Sequence, residues 1–235
     1  MRKYFLCSVL VLSLFLNVFI NYNSISFAQK RYNEAPMLAE LVKQGKLPPI
    51  EERLPEKPFI VGPGVLISKA DLPNWRVGTY GGTLRNVHTV ADWAPDVFCM
   101  NNEPLLIAPG IGNTGIRGNI IESFDVKDNK IFTFKLRKGL KWSDGHPVTM
   151  EDIRFTYEDF LLNEKLNPSL PAKFRVGKDP KGEPMKLEII DDFTFRITFP
   201  RPNGGFLRIL AIENWAGYTD LLKPSHYLKQ FHIKY

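Results

Sequence analysis

The stretch at residues 132–159, FTFKLRKGLKWSDGHPVTMEDIRFTYED, constrains the fold more than any other part of this chain. Its first six residues alternate apolar with polar side chains. The apolar ones are Phe132, Phe134 and Leu136. A period of two places successive side chains on opposite faces of a β-strand. The pattern therefore predicts a strand with one apolar face and one polar face.

A turn and a helix are predicted to follow this strand. Ser143, Asp144 and Gly145 are typical of a tight turn in which glycine takes a positive φ. Thr149 then begins a helix as its N-cap, and Asp152 stands three residues on, which is the spacing of a capping box. Apolar residues downstream recur at helical spacing, which predicts one apolar helix face. They are Ile153, Tyr157, Phe160 and Leu161.

Two strand pairs are predicted in the middle of the chain. Residues 120–124 pair with 130–137 around a turn at 127–129, and residues 185–190 and 193–199 alternate on either side of an Asp-Asp turn. The remaining predicted elements are a strand at 83–87 and helices at 205–212 and 224–231. Short strands mixed with helices indicate an α/β or α+β chain.

The N-terminus has the pattern of a secretory signal peptide. Arg2 and Lys3 form a positive segment, residues 5–20 are apolar, and Ser26-Phe27-Ala28 is a small-x-small cleavage site. The alternative is an uncleaved anchor, which usually needs about 20 apolar residues. The apolar run here is shorter, so the pattern predicts cleavage after Ala28 and a periplasmic protein.

Charge and cysteine content exclude some classes. The whole chain carries a formal charge of +6, and removal of the signal would take away only Arg2 and Lys3. Basic residues are spread along the chain without interleaved aromatics, which argues against nucleic-acid binding. After cleavage one cysteine, Cys99, would remain, so no disulfide could form within the mature chain.

The segment at residues 29–76 is predicted to be an extended N-terminal segment. Residues 37–42 form a short amphipathic helix that Gly45 ends. Residues 46–63 contain five prolines, which predicts extended coil. We expect this segment to wrap the surface of a folded lobe, with free disorder as the alternative.

No residue set indicates catalysis, a metal or a cofactor by its spacing. Ser143, Asp144 and His146 lie too close together on one turn for a Ser–His–Asp line, so Asp144 is expected to bond the turn backbone. His226 and His232 have no carboxylate or thiol at ligand spacing, which favours ordinary surface or packed histidines. The sequence thus predicts no catalytic residue, no metal site and no cofactor.

Four further side chains have structural interpretations. Arg137 and Arg196 are expected to lie on polar strand faces and pair with carboxylates. Trp142 and Trp215 are expected in the core, with stacking on a ligand as the alternative.

The 132–153 stretch also resembles a known family. It is similar to the recurrent motif YTFxLRxGxx(F/W)SDGxPxTAxDV of the family 5 extracellular solute-binding proteins, which are the peptide, nickel and oligosaccharide receptors of ABC importers. This chain reads FTFKLRKGLKWSDGHPVTMEDI, with Met150 in place of the usual alanine. Segments at residues 35–55, at 77–85 (VGTYGGTLR) and at 224–228 (PSHYL) resemble further segments of the same family.

The resemblance implies a fold and a function. The implied fold is α/β, the two-lobed type II periplasmic-binding-protein architecture, with residues 77–235 covering most of the first lobe and the second lobe absent. The implied function is capture of a small solute, an oligopeptide above all, for an inner-membrane ABC permease, by a protein that is monomeric when full length. The alternatives are a secreted hydrolase or other enzyme whose active site lies in the missing half, and a surface binding protein without a transport role.

The resemblance also directs attention to the segment that follows the first predicted strand. Ligands sit beyond the carboxyl ends of strands in doubly wound sheets. In peptide-binding members the corresponding loop pairs with the ligand backbone, as a strand added to a sheet edge does. The expected ligand contacts are Thr89, Val90, Asp92 and Trp93, together with Trp215.

Overall fold

The computed structural model describes residues 32–85, 87, 103–108, 115–212 and 220–235. The chain divides into two compact units, Met1–Glu51 and Glu52–Tyr235. In the first unit the described part contains helix α1 (Pro36–Lys43), followed by Gly45 at φ +66°. This agrees with the predicted amphipathic helix and its glycine end. Helix α2 (Ile50–Arg53) comes next, at the boundary between the units.

A four-stranded antiparallel sheet forms the centre of the second unit. Its strands are β3 (Ile121–Lys127), β4 (Ile131–Leu136), β5 (Lys186–Ile189) and β6 (Thr194–Thr198), in the order β3-β4-β6-β5. A smaller pair, β1 (Leu106–Ile107) and β2 (Arg117–Gly118), is also antiparallel. Both predicted strand pairs are confirmed.

Two residues with positive φ connect β3 to β4. Asp128 has φ 57° and Asn129 has φ 50°. Successive positive φ values give a turn whose twist matches that of the flanking strands, and Asp and Asn accept this conformation best among non-glycine residues. The turn sets the register in which Phe124 faces Phe134.

The apolar face of β4 and β6 forms the core. Phe132 pairs with Ile197 and Phe134 with Phe195, and all four are fully buried. Helix α4 (Phe206–Ile212) covers this face, with the Phe206 ring 5.2 Å from that of Phe132. Complete burial of such a side chain contributes about 1.5–3 kcal/mol relative to exposure. The alternation of residues 132–137 therefore gives a buried strand face, as predicted.

Helix α3 (Met150–Phe155) begins as the sequence predicts. Thr149 is the N-cap, and its backbone N–H donates to the Asp152 carboxylate at 2.8 Å. The helix then changes into a π-helical turn, Thr156–Leu161. The Thr156 hydroxyl donates to the carbonyl of Asp152 at 2.6 Å and accepts the Lys223 N–H at 2.9 Å.

The four residues of the predicted apolar face all belong to the core or pack against it, which confirms that face, but the π-helical turn makes them differ in burial. Ile153 and Leu161 are buried, whereas Tyr157 and Phe160 are only half-buried. A π-turn has more residues per turn than an α-helix, so side chains four apart rotate away from one another. Tyr157 instead directs its hydroxyl to the carbonyl of Met185 at 3.1 Å.

Arg137 corrects the prediction that it pairs with a carboxylate. It is buried at the end of β4, where it donates from Nε to the carbonyl of Asn119 at 2.9 Å and from Nη1 to that of Lys57 at 2.6 Å. These two hydrogen bonds link a distant segment to the strand. Arg196, as predicted, contacts a carboxylate, that of Glu188 at 3.4 Å.

The N-terminal segment departs from the predicted coil in one place, and the strand predicted after this segment, at residues 83–87, is not observed at the described residues. Helix α2 lies within residues 46–63, which were expected to be extended. Beyond it, Pro55 approaches the turn after β4, where a Cβ on Gly139 would lie 3.3 Å from the Cα of Pro55. This part therefore packs on its own unit, and the wrapping of a lobe by the whole segment stays a prediction. Residues 83–85 and Val87 are not in a strand, and no described strand pairs with them.

The loop at residues 163–184 and the C-terminal region complete the second unit. The loop contains two short 3-10 turns, Ala172–Phe174 and Val176–Lys178, and buries Phe174 completely. Helix α5 (Ser225–Leu228) continues as a 3-10 turn, Lys229–Phe231. Within the residues that the structure describes, no helix has both the length and the apolar character that a membrane crossing requires.

Candidate functional site

The residues predicted to contact ligand lie outside the described part of the chain. They are Thr89, Val90, Asp92, Trp93 and Trp215. Their role as ligand contacts stays a prediction. Trp142, the other tryptophan considered for stacking, is half-buried against the core and donates its indole N–H to Asp152 at 3.2 Å.

Asp152 joins three parts of the second unit. Its Oδ2 accepts from the Thr149 backbone N–H and from Trp142, while its Oδ1 accepts from the Ser225 N–H at 2.8 Å and the Ser225 hydroxyl at 2.6 Å. The side chain is 1% exposed. A buried carboxylate with four donors is fully satisfied, so it fixes the Trp142 segment, the start of α3 and the start of α5 with respect to one another.

The turn at residues 143–145 adopts the predicted conformation. Gly145 has φ 90°, and its N–H donates to the carbonyl of Trp142 at 2.9 Å. Asp144 Oδ1 accepts the backbone N–H of His146 at 3.1 Å, which confirms that this carboxylate bonds the turn backbone.

The same carboxylate also reaches a residue from the other end of the unit. Asp144 Oδ2 lies 2.7 Å from Nε2 of His226, on helix α5, and Oδ1 lies 3.5 Å from Nδ1 of His146. The hydrogen bond with His226, followed by that from the His146 backbone, lowers the pKa of Asp144 below its ordinary value. The expectation that His226 has no carboxylate nearby is therefore wrong. No carboxylate lies at ligand spacing from His226 in the sequence, but the fold brings Asp144 to it.

This arrangement is not that of a catalytic triad. In a triad the histidine lies between the nucleophile and the acid. Here Asp144 itself is central and contacts both imidazoles. Carboxylate and imidazoles together form a cluster of possible metal ligands that the separate sequence segments do not reveal.

A second charged cluster surrounds Arg154 on helix α3. Its guanidinium donates to Glu151 at 2.6 Å and 2.7 Å and to Glu158 at 2.6 Å. The hydrogen bond from Arg154, with a further contribution from Lys229, holds the pKa of Glu151 at about 2. Because every charge has a close opposite partner, this cluster indicates a structural ion-pair network.

The network extends to the last described residues. Lys234 Nζ lies 2.6 Å from Asp159 Oδ1, and the Tyr235 hydroxyl donates to Oδ2 at 2.8 Å. Burial raises the pKa of Asp159, but the hydrogen bonds from Lys234 and Tyr235 outweigh it and leave the pKa below its ordinary value. The residues after α5 are thus tied to α3 and its π-helical turn.

A groove of about 520 Å³ runs between the turn after β4, the start of α3 and the turn before β6. Its volume falls in the range of small-molecule sites, which is about 300–1,000 Å³. Most of its surface comes from carbon atoms, so it suits an apolar group. Its lining includes Leu140, Pro147, Val148, Met150 and Phe193.

Comparison with known proteins identifies the motif-bearing part of the chain. The family model for the middle region of the bacterial extracellular solute-binding proteins, family 5, matches residues 115–218. The periplasmic alpha-galactoside-binding protein of Rhizobium meliloti (strain 1021) is 30% identical, across 88% of this chain and 30% of that protein. This chain belongs to the family 5 extracellular solute-binding proteins.

Two solved structures share the fold of this family 5 chain. An oligopeptide-binding protein, OppA, superposes with a TM-score of 0.69 at 35% identity, covering 92% of this chain and 30% of that one. The periplasmic binding protein MelB of Agrobacterium fabrum C58, in complex with stachyose, gives 0.63 at 27% identity, covering 87% and 31%. The chain therefore has the mixed α/β fold of periplasmic binding proteins and spans about 30% of the length of these relatives.

Proposed function

We propose that this chain is part of the solute-binding component of an ABC importer. The component captures a small solute between two lobes and delivers it to an inner-membrane permease. The observation that carries the proposal is the likeness to OppA over 92% of the chain, at 35% identity and a TM-score of 0.69. Closure of two lobes around a solute is the hinge motion through which such a receptor would couple binding to recognition by its permease.

An oligopeptide is the solute that we favour. Support comes from the likeness to OppA, an oligopeptide-binding protein, at the highest structural similarity among the proteins compared above. The predicted contact segment, with Thr89, Val90, Asp92 and Trp93, would pair with the peptide backbone. Backbone pairing gives affinity without reading side chains, which suits a receptor for peptides of varied sequence.

An oligosaccharide is the second candidate. Two of the relatives above favour it: the alpha-galactoside-binding protein of Rhizobium meliloti and the MelB structure, which contains stachyose. In this case Trp93 and Trp215 would serve as flat apolar platforms for sugar rings. Binding would then depend on aromatic faces and side-chain hydrogen bonds and much less on backbone pairing.

Calorimetry with two ligand sets separates these candidates. A receptor that extends this chain through the second lobe would be titrated with a library of short peptides and, in parallel, with stachyose, because a single lobe supplies only one wall of the binding site. Peptide binding with no heat from stachyose supports the first candidate, and the reverse result supports the second. Absence of binding to both sets would contradict the proposal that either class is the solute.

A pair of variants connects the result to the predicted site. Trp93→Ala should weaken stachyose binding by a large factor if sugar stacking operates, and weaken peptide binding much less. Trp75→Ala is the matched control, since Trp75 is exposed and lies outside the predicted contact segment. Equal effects of the two substitutions would count against the assignment of Trp93 to the site.

A further inference from the structure

Three possible metal ligands converge between the turn at residues 143–145 and helix α5. They are Asp144, His146 and His226, and one ligand atom from each lies within 4.8 Å of the other two. Asp144 and His226 are 82 residues apart in sequence. The cluster exists only because the fold brings the turn onto the helix.

The cluster is open to solvent on one side. The side chains of His146 and Asp144 are 60% and 49% exposed, and that of His226 is 25% exposed. The two imidazole rings stack with their centroids 4.2 Å apart and an angle of 15° between their planes. Their nitrogens therefore reach the carboxylate side by side, and an ion can approach from the solvent.

The supports of the cluster are fixed. Asp152 accepts hydrogen bonds from Ser225, the residue before His226, and from Trp142, two residues before Asp144. One buried carboxylate therefore holds both walls of the cluster. The Asp144 carboxylate is oriented in addition by the backbone N–H of His146. Ligands whose orientation is set by surrounding hydrogen bonds bind a metal with less loss of conformational freedom.

The distances are close to those that a metal ion needs. Zinc bonds to histidine nitrogen and carboxylate oxygen are about 2.0–2.2 Å long, so tetrahedral ligand atoms lie about 3.3–3.5 Å apart. Asp144 Oδ1 and His146 Nδ1 are 3.5 Å apart. The ligand atoms otherwise lie within 4.8 Å of one another, and rotation of the exposed Asp144 and His146 side chains can adjust these separations. The hydrogen bond between Asp144 and His226 would give way to two bonds to the ion.

We propose that Asp144, His146 and His226 bind a zinc-like divalent transition-metal ion. Two imidazoles with one carboxylate are a donor set that suits zinc, whereas calcium and magnesium prefer oxygen ligands alone. Three protein ligands leave a coordination position for water or for a group on another molecule. This site is distinct from the predicted solute contacts and does not depend on the identity of the solute.

Zinc titration of the chelator-treated protein tests this site. The unmodified protein should bind one zinc ion per chain at micromolar or lower concentration. His146→Gln and Asp144→Asn should each weaken zinc binding at least tenfold. His232→Gln is the matched control, because His232 lies outside the cluster; it should leave the affinity unchanged.

Two further measurements keep the test decisive. Circular dichroism of each metal-free variant shows whether it is folded, and His146 is the most informative position because its side chain is the most exposed of the three. A rise in melting temperature on addition of zinc should occur in the unmodified protein and vanish in His146→Gln. Failure of the unmodified protein to bind zinc would overturn the proposal. So would folded His146→Gln and Asp144→Asn variants that bind zinc as tightly as the unmodified protein.

Discussion

The Asp152 carboxylate accepts two hydrogen bonds from Ser225, which lies 73 residues further along the chain. Its other oxygen accepts from the Thr149 N–H and from Trp142. Asp152, the third helical residue of the α3 capping box, is therefore also the link between α3, α5 and the Trp142 segment. A local helix-capping pattern in the family motif has a second, long-range role.

Asp152→Ala should destabilise the protein strongly. The substitution leaves the buried Ser225 N–H and the part-buried Thr149 N–H and Trp142 indole N–H without their acceptor. Each unsatisfied buried donor costs about 1–3 kcal/mol, so we expect a loss of at least about 3 kcal/mol in the free energy of unfolding. Urea unfolding followed by circular dichroism measures it.

Ser225→Ala is the comparison for Asp152→Ala. It removes only one of the four hydrogen bonds and should cost about 1 kcal/mol. If both variants lose the same small amount, the carboxylate is not the central link that the structure indicates.

Gly145→Val should destabilise the fold through its backbone alone. Gly145 has φ 90°, and a Cβ there would meet nothing within 4 Å. A side chain with β-branching is strained at this φ by about 1–3 kcal/mol. Thermal melts should show the loss. Gly62→Val is the control, because a Cβ on that glycine would also lie in open space but its φ is not positive; similar melting temperatures for the two variants would argue against strain.

Local patterns in the sequence predict the elements that short-range chemistry determines. The alternation of residues 132–137 predicts β4, the turn residues predict the positive φ of Gly145, and Thr149 with Asp152 predicts the start of α3. For the turn and the helix start, the deciding interactions join residues that are close in sequence, whereas for β4 the alternation itself is the signal and its partners on β6 are distant. The turn at residues 127–129 is likewise local.

Contacts between distant segments could not be predicted in this way. Arg137 bonds the carbonyl of Lys57, 80 residues away, and a backbone acceptor carries no sequence signal. Asp144 meets His226 only after α5 is docked through Asp152. The Thr156 hydroxyl, in the first residue of the π-helical turn, likewise accepts the N–H of Lys223, 67 residues away. The sequence therefore shows that Asp144, His146 and His226 are residues of the kind that bind metals. It does not show that they lie together.

Acid should weaken the ion-pair network of helix α3. The pKa of Glu151 is about 2 in the folded protein, against an ordinary value of 4.5. A carboxylate with a lowered folded-state pKa adds stability that is fully present above its unfolded-state pKa and disappears as the pH falls toward the folded-state value. Stability from Glu151 should thus decline between about pH 4.5 and about pH 2.

Glu151→Gln provides the measurement. This variant should be less stable than the unmodified protein near neutral pH, and the difference should shrink in urea melts at about pH 3. Glu183→Gln is a control, since Glu183 pairs with Arg201 away from helix α3. A stability difference that stays constant from neutral to acid pH would contradict the assigned role of Glu151.

Processing should remove the first 28 residues during export. The pattern of Arg2, Lys3, an apolar run and Ala28 motivates this expectation. N-terminal sequencing of protein from a periplasmic fraction should begin at Gln29. Ala28→Arg should block cleavage, because the residue before the cut must be small, while Tyr22→Phe should leave it intact. A periplasmic protein that still begins at Met1 would favour an uncleaved anchor.

Phe206→Ala should cost about 3–5 kcal/mol in the free energy of unfolding, the range for large-to-small substitutions of buried phenylalanines. The Phe206 ring lies 5.2 Å from Phe132 and 4.9 Å from Phe199, so its removal would leave a cavity between α4 and the sheet. Ile212→Ala is the matched control on the same helix, where the side chain is 45% exposed; it should cost less than about 1 kcal/mol. Chemical unfolding of both variants gives the comparison. Because helix propensity favours alanine in each case, a large loss confined to Phe206 would assign the stability of this region to aromatic packing on β4 and β6, and equal losses would assign it to the helix itself.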